Sequence, residues 1–411
     1  MLSVLEAQQR ILSLFSPISE SVAIALEQAA GRILSVDIFA DGDLPPFDNS
    51  SVDGFAVRAA DLAVASPENP RRLPVIGDIP AGSAALLRVE PGQSARIMTG
   101  APLPAGADAV VMVEDTDFNN RSAGLAAPAS VALYKAIRAG ENVRARGMDI
   151  KAGRQVLSAG ARLRAQELGM LAMLGVASVP ARRLPRVAIL STGDEILPVE
   201  APLSPGKIRD TNSHTLAALT AAAGCEGLRL GIAADTRAAV SQKLDAAYAA
   251  GADVIITSAG VSVGAFDYVK EVVEGNGALD FWKVDMRPGK PLAFGRYRGI
   301  PFFGLPGNPV SAFVGFLVFV EPALRRLQGL PEALRPRVRA VLADGLESDG
   351  RESYLRATLH IEAGKYVARI TTNQSSGNLF SLVESNALLI IPSGVKSCPP
   401  ETEVEAWLLE D

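Results

Sequence analysis

The sequence predicts a multidomain α/β protein. A central, doubly wound α/β domain follows an elongated composite region with an inserted β-rich module and precedes a small β-barrel-like domain. Three observations carry this expectation. The chain has 411 residues, more than one ordinary core organises at about 100–200 residues per domain. Its middle alternates short apolar runs with amphipathic stretches, the rhythm of strand and helix, and its flanks are cut by Pro and Gly into short β-like runs. The boundaries read 1–180, with the inserted module at about 45–145, then 181–328, then 329–411.

Taken in order, residues 4–15 and 22–30 read as helices, the second stopped by Gly31. "RLPVIGDIPAG" and "QSARIMTGAPLPAGADAVVMVEDT" supply the short strands of the inserted module, and 119–130 reads as a hairpin tip. "RVAIL" is an apolar strand. "TNSHTLAALTAAAG" is a helix capped by Asn212 or Ser213 and stopped at Gly224, and "LRLGIAA" is the next strand. Asp235 stands in capping position before a helix whose stripe is Val240, Leu244 and Tyr248. Then come strand "DVIIT", a helix near 268–273, extended runs "LDFWKVDM", "PLAFGRY" and "IPFFGL", and a long helix over 309–328. "YVARITT", "ALLIIP" and "EVEAWLL" make the final β domain.

Composition removes several classes of function. Hydrophobic residues at 48% and charged residues at 21% describe a soluble globular chain, and a net charge of −5 with no basic block gives no pull toward nucleic acid. The first residues turn polar too early for a signal peptide, and the longest apolar run stops at Glu321, too short for a bilayer; a cytoplasmic protein is expected. Two distant cysteines without a CxxC pair suit a reducing compartment and two buried small hydrophobes. Two histidines cannot build a multi-histidine metal site, and neither carries a motif that supports a Ser-His-Asp triad. Acid–base and metal chemistry therefore falls mainly to carboxylates and lysines.

In a doubly wound domain the ligand crevice lies beyond the carboxyl ends of the strands. Four segments in or beside it are stripped of bulk and given polar groups. "LSTGDEI" offers Thr192, Gly193 and two adjacent acids, Asp194 and Glu195, of which a turn cap explains either equally well. "SAGVSVGAFDYVK" offers Ser258, Gly260, Ser262 and Gly264, whose backbone can turn amides toward an oxyanion, and Asp267 as a metal-binding oxygen or a helix cap. In "LPGNPVSAF", Gly307 relieves crowding, Asn308 caps and Pro309 opens a helix whose free amides attract anions. "MRPGKPLAFG" sets Arg287 and Lys290 either side of a Pro-Gly turn, suited to a small oxyanion or to solvent. No Walker A loop and no strand followed by GxGxxG occurs, which lowers nucleotide-triphosphate hydrolysis and dinucleotide oxidoreduction.

Together "PFDNSSVDGFAVR", "MTGAPLPAGADAVVMVED", "RARGMDI", "LSTGDEI", "SAGVSVGAFDYVK", "RPGKPLAFG" and "LPGNPVSA" give the chain a resemblance to the molybdopterin molybdenumtransferase family, relatives of the gephyrin E domain. The resemblance implies insertion of molybdate into adenylylated molybdopterin with release of AMP and a requirement for Mg²⁺. It also implies an elongated cytoplasmic homodimer with shared active sites. The adenylyltransferase of the same pathway and molybdoenzyme chaperones are then possible partners, with no role for nucleic acid or membrane.

By position it implies catalytic roles for Asp53, Asp149, Glu195, Asp235 and Asp267, with Asp235 and Asp267 as Mg²⁺ ligands. Thr192, Gly193, Ser258, Gly260, Ser262, Gly264, Pro306, Gly307, Asn308 and Pro309 would line the substrate, and Arg287, Lys290, Arg351, Arg356 and Ser376 would receive molybdate. Three positions depart from the family pattern. Met148 stands where an acid is frequent, Ala259 replaces a common glycine, and Arg287 replaces a frequent lysine with altered donor geometry. A molybdopterin adenylyltransferase and a competence/damage-inducible protein share the central domain, but the long amino-terminal region speaks against both. A scaffold of the gephyrin type would not need Asp53, Glu195, Asp235 and Asp267 together.

Overall fold

A computed structural model describes residues 1–84, 86–118, 126–258, 268–330 and 335–409. The chain divides into two compact units: Met1–Ser35, Gly160–Leu168 and Ser178–Asp411 form one, Val36–Ala159 and Gly169–Ala177 the other.

The first unit opens with α1 (Val4–Ser13), begun by a capping box in which the Ser3 hydroxyl accepts from the Glu6 amide at 3.2 Å and the Glu6 carboxylate accepts from the Ser3 amide at 2.8 Å. Val4, Ala7 and Ile11 turn its apolar face into the core. The α/β domain follows with β1 (Arg186–Thr192), α2 (Asn212–Ala222), β2 (Glu226–Ala233), α3 (Arg237–Ala249), β3 (Val254–Ser258), α4 (Tyr268–Asn276), β4 (Gly277–Lys283), β5 (Pro291–Tyr297), β6 (Ile300–Leu305) and α5 (Pro309–Gly315). Helix α5 continues through a π-helical turn over Phe316–Val320 into Glu321–Gln328.

The sheet order is β2-β1-β3-β6-β5-β4. Its first four strands run parallel, and β5 returns antiparallel between β6 and β4. Both faces are covered. Val187 and Ile189 of β1 face the core shared with α1 and α5, whereas Ala188 and Leu190 face α3 and α4. That is why the strand reads as one apolar run rather than an alternation.

The carboxyl-terminal strands β7 (Val338–Leu342), β8 (Glu352–Glu362), β9 (Lys365–Ile370), β10 (Ala387–Ile391) and β11 (Glu403–Leu408) pair in the cycle β8-β9-β7-β11-β10-β8, a closed small barrel. The second unit holds a five-stranded sheet ordered Ala109–Met112, Gly54–Val57, Ser94–Ile97, Arg71–Ile79, Ser130–Leu133.

Two local expectations change. Instead of a helix over 22–30, Ser21–Ala25 is a strand paired antiparallel with Ser178–Arg182, and only Leu26–Gln28 coils, as a 3₁₀ turn. The β-branched Val22 and Ile24 alternate on one face, and a partner more than 150 residues away overrides local propensity. On α3 the buried stripe is Val240, Leu244 and Ala247, while Tyr248 is exposed beneath the Arg298 guanidinium, 5.5 Å from its ring centre. The expected hairpin tip at 119–130 lies, for 119–125, outside the described residues.

Candidate active site

The ends of β1 and β2 bring acids together. Ser191 and Thr192 are buried. The Ser191 hydroxyl donates to the Asp210 carboxylate at 2.8 Å, which also accepts from the Ser213 amide at 3.0 Å and so caps the first turn of α2 from outside the helix. The buried Thr192 hydroxyl has no hydrogen-bond partner. Gly193 follows at φ +141°, where a Cβ would stand 2.6 Å from the Glu195 carboxylate, so this turn requires glycine.

Asp235 does not cap α3. Thr236 does, accepting from the Ala239 amide at 3.2 Å. The Asp235 carboxylate instead accepts from the Asp194 amide at 3.4 Å, and the Asp194 carboxylate from the Asp235 amide at 3.1 Å. Burial, with the negative charges of Asp194 and Glu195, lifts the Asp235 carboxyl above its ordinary range against the pull of the Asp194 amide.

The predicted cap Asn212 also has another task. Its side-chain amide donates to the Ser258 hydroxyl at 2.6 Å and to the Gly307 carbonyl at 2.8 Å, tying the end of β3 to the turn after β6, and its own carbonyl is buried without a partner. Sequence reasoning missed Asp210 and Asn212 as site residues. The signal was present in "RDTN", where two polar side chains precede a helix directly after a strand, but it reads as ordinary capping. Gly260, Ser262, Gly264 and Asp267 lie outside the described residues.

Cationic side chains gather where the barrel meets the start of α5. Asn308 occupies the cap position but makes no capping bond; it donates to the Ser376 hydroxyl at 3.0 Å, and the Val310 amide donates to the Ser376 carbonyl at 3.1 Å. One amide expected to meet an anion is therefore already used. Pro306 is buried, while Gly307 and Asn308 are exposed.

The turn from Arg287 to Lys290 lies against the same helix start, since a Cβ on Gly289 would come 3.6 Å from the Ser311 carbonyl. Met286–Arg287 pairs parallel with Glu352 and Ser353 of β8. This brings the Arg287 guanidinium to 3.8 Å from the Asp349 carboxylate, which Arg351 also engages through Nε at 3.1 Å and through a second, shorter contact. Arg351 and, behind it, Arg287 hold the Asp349 carboxyl below its usual range. Lys290 is exposed.

Arg356 departs from its expected use. Its guanidinium is buried and donates to the Ser381 hydroxyl at 3.1 Å and to the carbonyls of Asn373 at 3.1 Å and Ser375 at 3.0 Å. It shapes the loop that presents Ser376. Burial, with the charge of Arg287, lowers it to about 10.

Asp53 and Asp149 belong to the second unit. Asp53 accepts from the Thr99 amide at 2.8 Å and hydroxyl at 2.7 Å, and the exposed Asp149 pairs with Arg144. Among the described residues no three His, Cys, Asp or Glu side chains are grouped closely enough to hold a metal, and no helix is long and apolar enough to cross a membrane. The donors at the tips of β1 and β2 are nevertheless hard carboxylate oxygens, and a divalent cation would relieve the crowding that lifts Asp235.

A mostly parallel α/β sheet with acids at its strand tips, joined to a barrel that contributes arginines, defines a modular α/β protein. Three family models match it in series: the MoeA N-terminal region (domain I and II) over 2–175, the "Probable molybdopterin binding domain" over 188–326, and the MoeA C-terminal region (domain IV) over 339–409. The chain is 41% identical over 409 residues to a Mycobacterium tuberculosis protein named molybdopterin molybdenumtransferase 2, covering 98% of each. It is also 41% identical over 379 residues to the Nostoc molybdopterin molybdenumtransferase, covering 90% of this chain and 85% of that one. A crystal structure of the molybdopterin biosynthesis MoeA protein from Pyrococcus horikoshii superposes over 100% of both chains, with a TM-score of 0.83 and 32% identity. The chain belongs to the MoeA family of molybdopterin molybdenumtransferases.

Proposed function

We propose that this protein transfers molybdenum from molybdate to adenylylated molybdopterin, giving the molybdenum cofactor and AMP with Mg²⁺ present. The observation that carries the activity is the unbroken match, from the amino-terminal region to the barrel, with proteins named for that transferase reaction.

The strand tips of the α/β domain would serve the phosphate side of such a substrate. Asp235 and Asp267 would hold Mg²⁺, with Glu195 beside them. Bound there, the cation would offset the negative charge gathered at the cleaved phosphate linkage. Thr192, Gly193 and Ser258, with Gly260, Ser262 and Gly264, would line the substrate, and Asn212 keeps the β3 end and the Pro306–Pro309 turn at a fixed separation. Arg287, Lys290 and Arg351 would receive molybdate, with Ser376 presented by the loop that Arg356 braces. We read the working form as a cytoplasmic homodimer, in which the segments of Asp53 and Asp149 serve the crevice of the second copy.

The test is AMP release from adenylylated molybdopterin on addition of molybdate and Mg²⁺. Release is expected from the native chain and is expected to fail in Asp235→Asn and Asp267→Asn. A native chain that binds adenylylated molybdopterin yet releases no AMP would leave it a binding protein.

A further inference from the structure

The cationic cluster contains a carboxylate that none of the assigned roles uses. Asp349 sits at the turn before β8, with Gly350 at φ +85° and Arg351 after it. Its Oδ2 meets Arg351 Nε at 3.1 Å and lies 3.8 Å from the Arg287 guanidinium, while its Oδ1 accepts from the Arg351 amide at 3.1 Å. The remaining arm of Arg351 donates to the Met286 carbonyl at 3.1 Å, which fastens the barrel turn to the segment leading into Arg287. The donors aimed at this carboxylate belong to two of the residues read above as the oxyanion receptors. A bare carboxylate and a tetrahedral oxyanion offer a guanidinium the same thing, two acceptor oxygens at hydrogen-bond distance from its N–H donors.

We propose that Asp349 sets the affinity of this cluster: its carboxylate competes with the incoming oxyanion for the donors of Arg287 and Arg351. The proposal rests on the reading of those arginines as the molybdate receptors. With no anion bound, Asp349 keeps both cations oriented and prevents two unpaired guanidinium groups from repelling each other. When a dianion arrives, Asp349 yields its side-chain contacts while its turn stays closed through the Arg351 amide. The same carboxylate then weakens the hold on the anion, so that molybdate is retained loosely enough to be passed on. A cluster without it binds more tightly and releases more slowly.

The experiment is titration of the full chain with sodium molybdate by calorimetry, comparing the native protein with Asp349→Asn, Arg287→Ala and the double variant. Asn keeps the oxygen that accepts from the Arg351 amide and replaces the charged oxygen facing the two guanidinium groups with an NH₂ that cannot accept from them. Asp349→Asn is expected to lower the molybdate Kd about two- to fivefold, the scale of one partly exposed ion pair, and to lower kcat for AMP release at saturating molybdate. Unchanged or weaker binding in Asp349→Asn, with Arg287→Ala still losing affinity, overturns the role of Asp349 and leaves the receptor reading standing. Native affinity in both Arg287→Ala and the double variant overturns the receptor reading and this proposal with it. If Asp349→Asn is poorly folded, Asp349→Ser, which keeps a turn-forming oxygen, carries the same comparison.

Discussion

Replacing Arg356 with Met tests whether a buried cation in the barrel governs the cluster beside it. Met fills much of the same volume but donates nothing, so three hydrogen bonds to a charged group are lost, a gross cost of about 5–9 kcal/mol at about 1.5–3 kcal/mol each. Two corrections reduce this. Removing a buried charge also removes its desolvation penalty of several kcal/mol, and Asn373 and Ser375 lie on an exposed loop whose carbonyls water can reach. The Ser381 hydroxyl cannot be rescued in that way, although it keeps its own bond to the Asn378 carbonyl at 2.6 Å. The net loss should be about 2–4 kcal/mol. Urea denaturation of the native and Arg356→Met chains measures it, and hydrogen exchange over 371–379 should rise, because the loop that fixes Ser376 against Asn308 and Val310 has lost its anchor. A denaturation midpoint and loop exchange equal to those of the native chain would refute the bracing role.

Two further outcomes follow from the electrostatics. The Asp235 carboxyl is raised in the folded chain relative to its ordinary value, so folding favours its neutral form. That contribution is fully present below the ordinary value and is lost as pH rises through the raised folded value. Asp235→Asn should therefore be more stable than the native chain at pH 7.5, by up to about 1 kcal/mol after solvent screening, with the gap narrowing at pH 4.5 in scanning calorimetry; an Asn variant less stable at pH 7.5 contradicts the crowding. Burial pushes the Cys225 thiol up to about 12, with the charge of Asp253 adding to it. Iodoacetamide at pH 8 should leave Cys225 unmodified in the native chain and label it fully in urea, whereas labelling of the native chain within minutes would contradict this.

What could be read beforehand follows from what each signal encodes. The parallel strands were legible because both faces of β1, β3 and β6 are buried and the run needs no alternation to announce itself. The strand Ser21–Ala25 was not, because its partner Ser178–Arg182 is remote and a five-residue run of Ser, Val, Ile and Ala suits helix or strand equally. At the site, the acids and glycines were found where strands end, yet the direction of each side chain was not. Asp235, Asn212 and Asn308 each stand beside a helix start and each turned elsewhere: to Asp194, to Ser258 and Gly307, and to Ser376. A polar residue at a helix start has two uses, and only the surroundings decide between them. Asp349 escaped notice for the same reason, since "SDGR" spells a turn, and that two arginines converge there depends on the Arg287 segment pairing with β8.

The cycle of strands in the barrel carries a consequence for how the chain tolerates interruption. Strand β11 is flanked on both sides, by β7 and by β10. A chain halted before Glu403 would leave two ladders of amides and carbonyls without neighbours at once, turning a sealed cylinder into a ribbon with two adhesive margins. Loss of only a few residues there should appear as insolubility of the entire polypeptide rather than as a trimmed and otherwise working molecule.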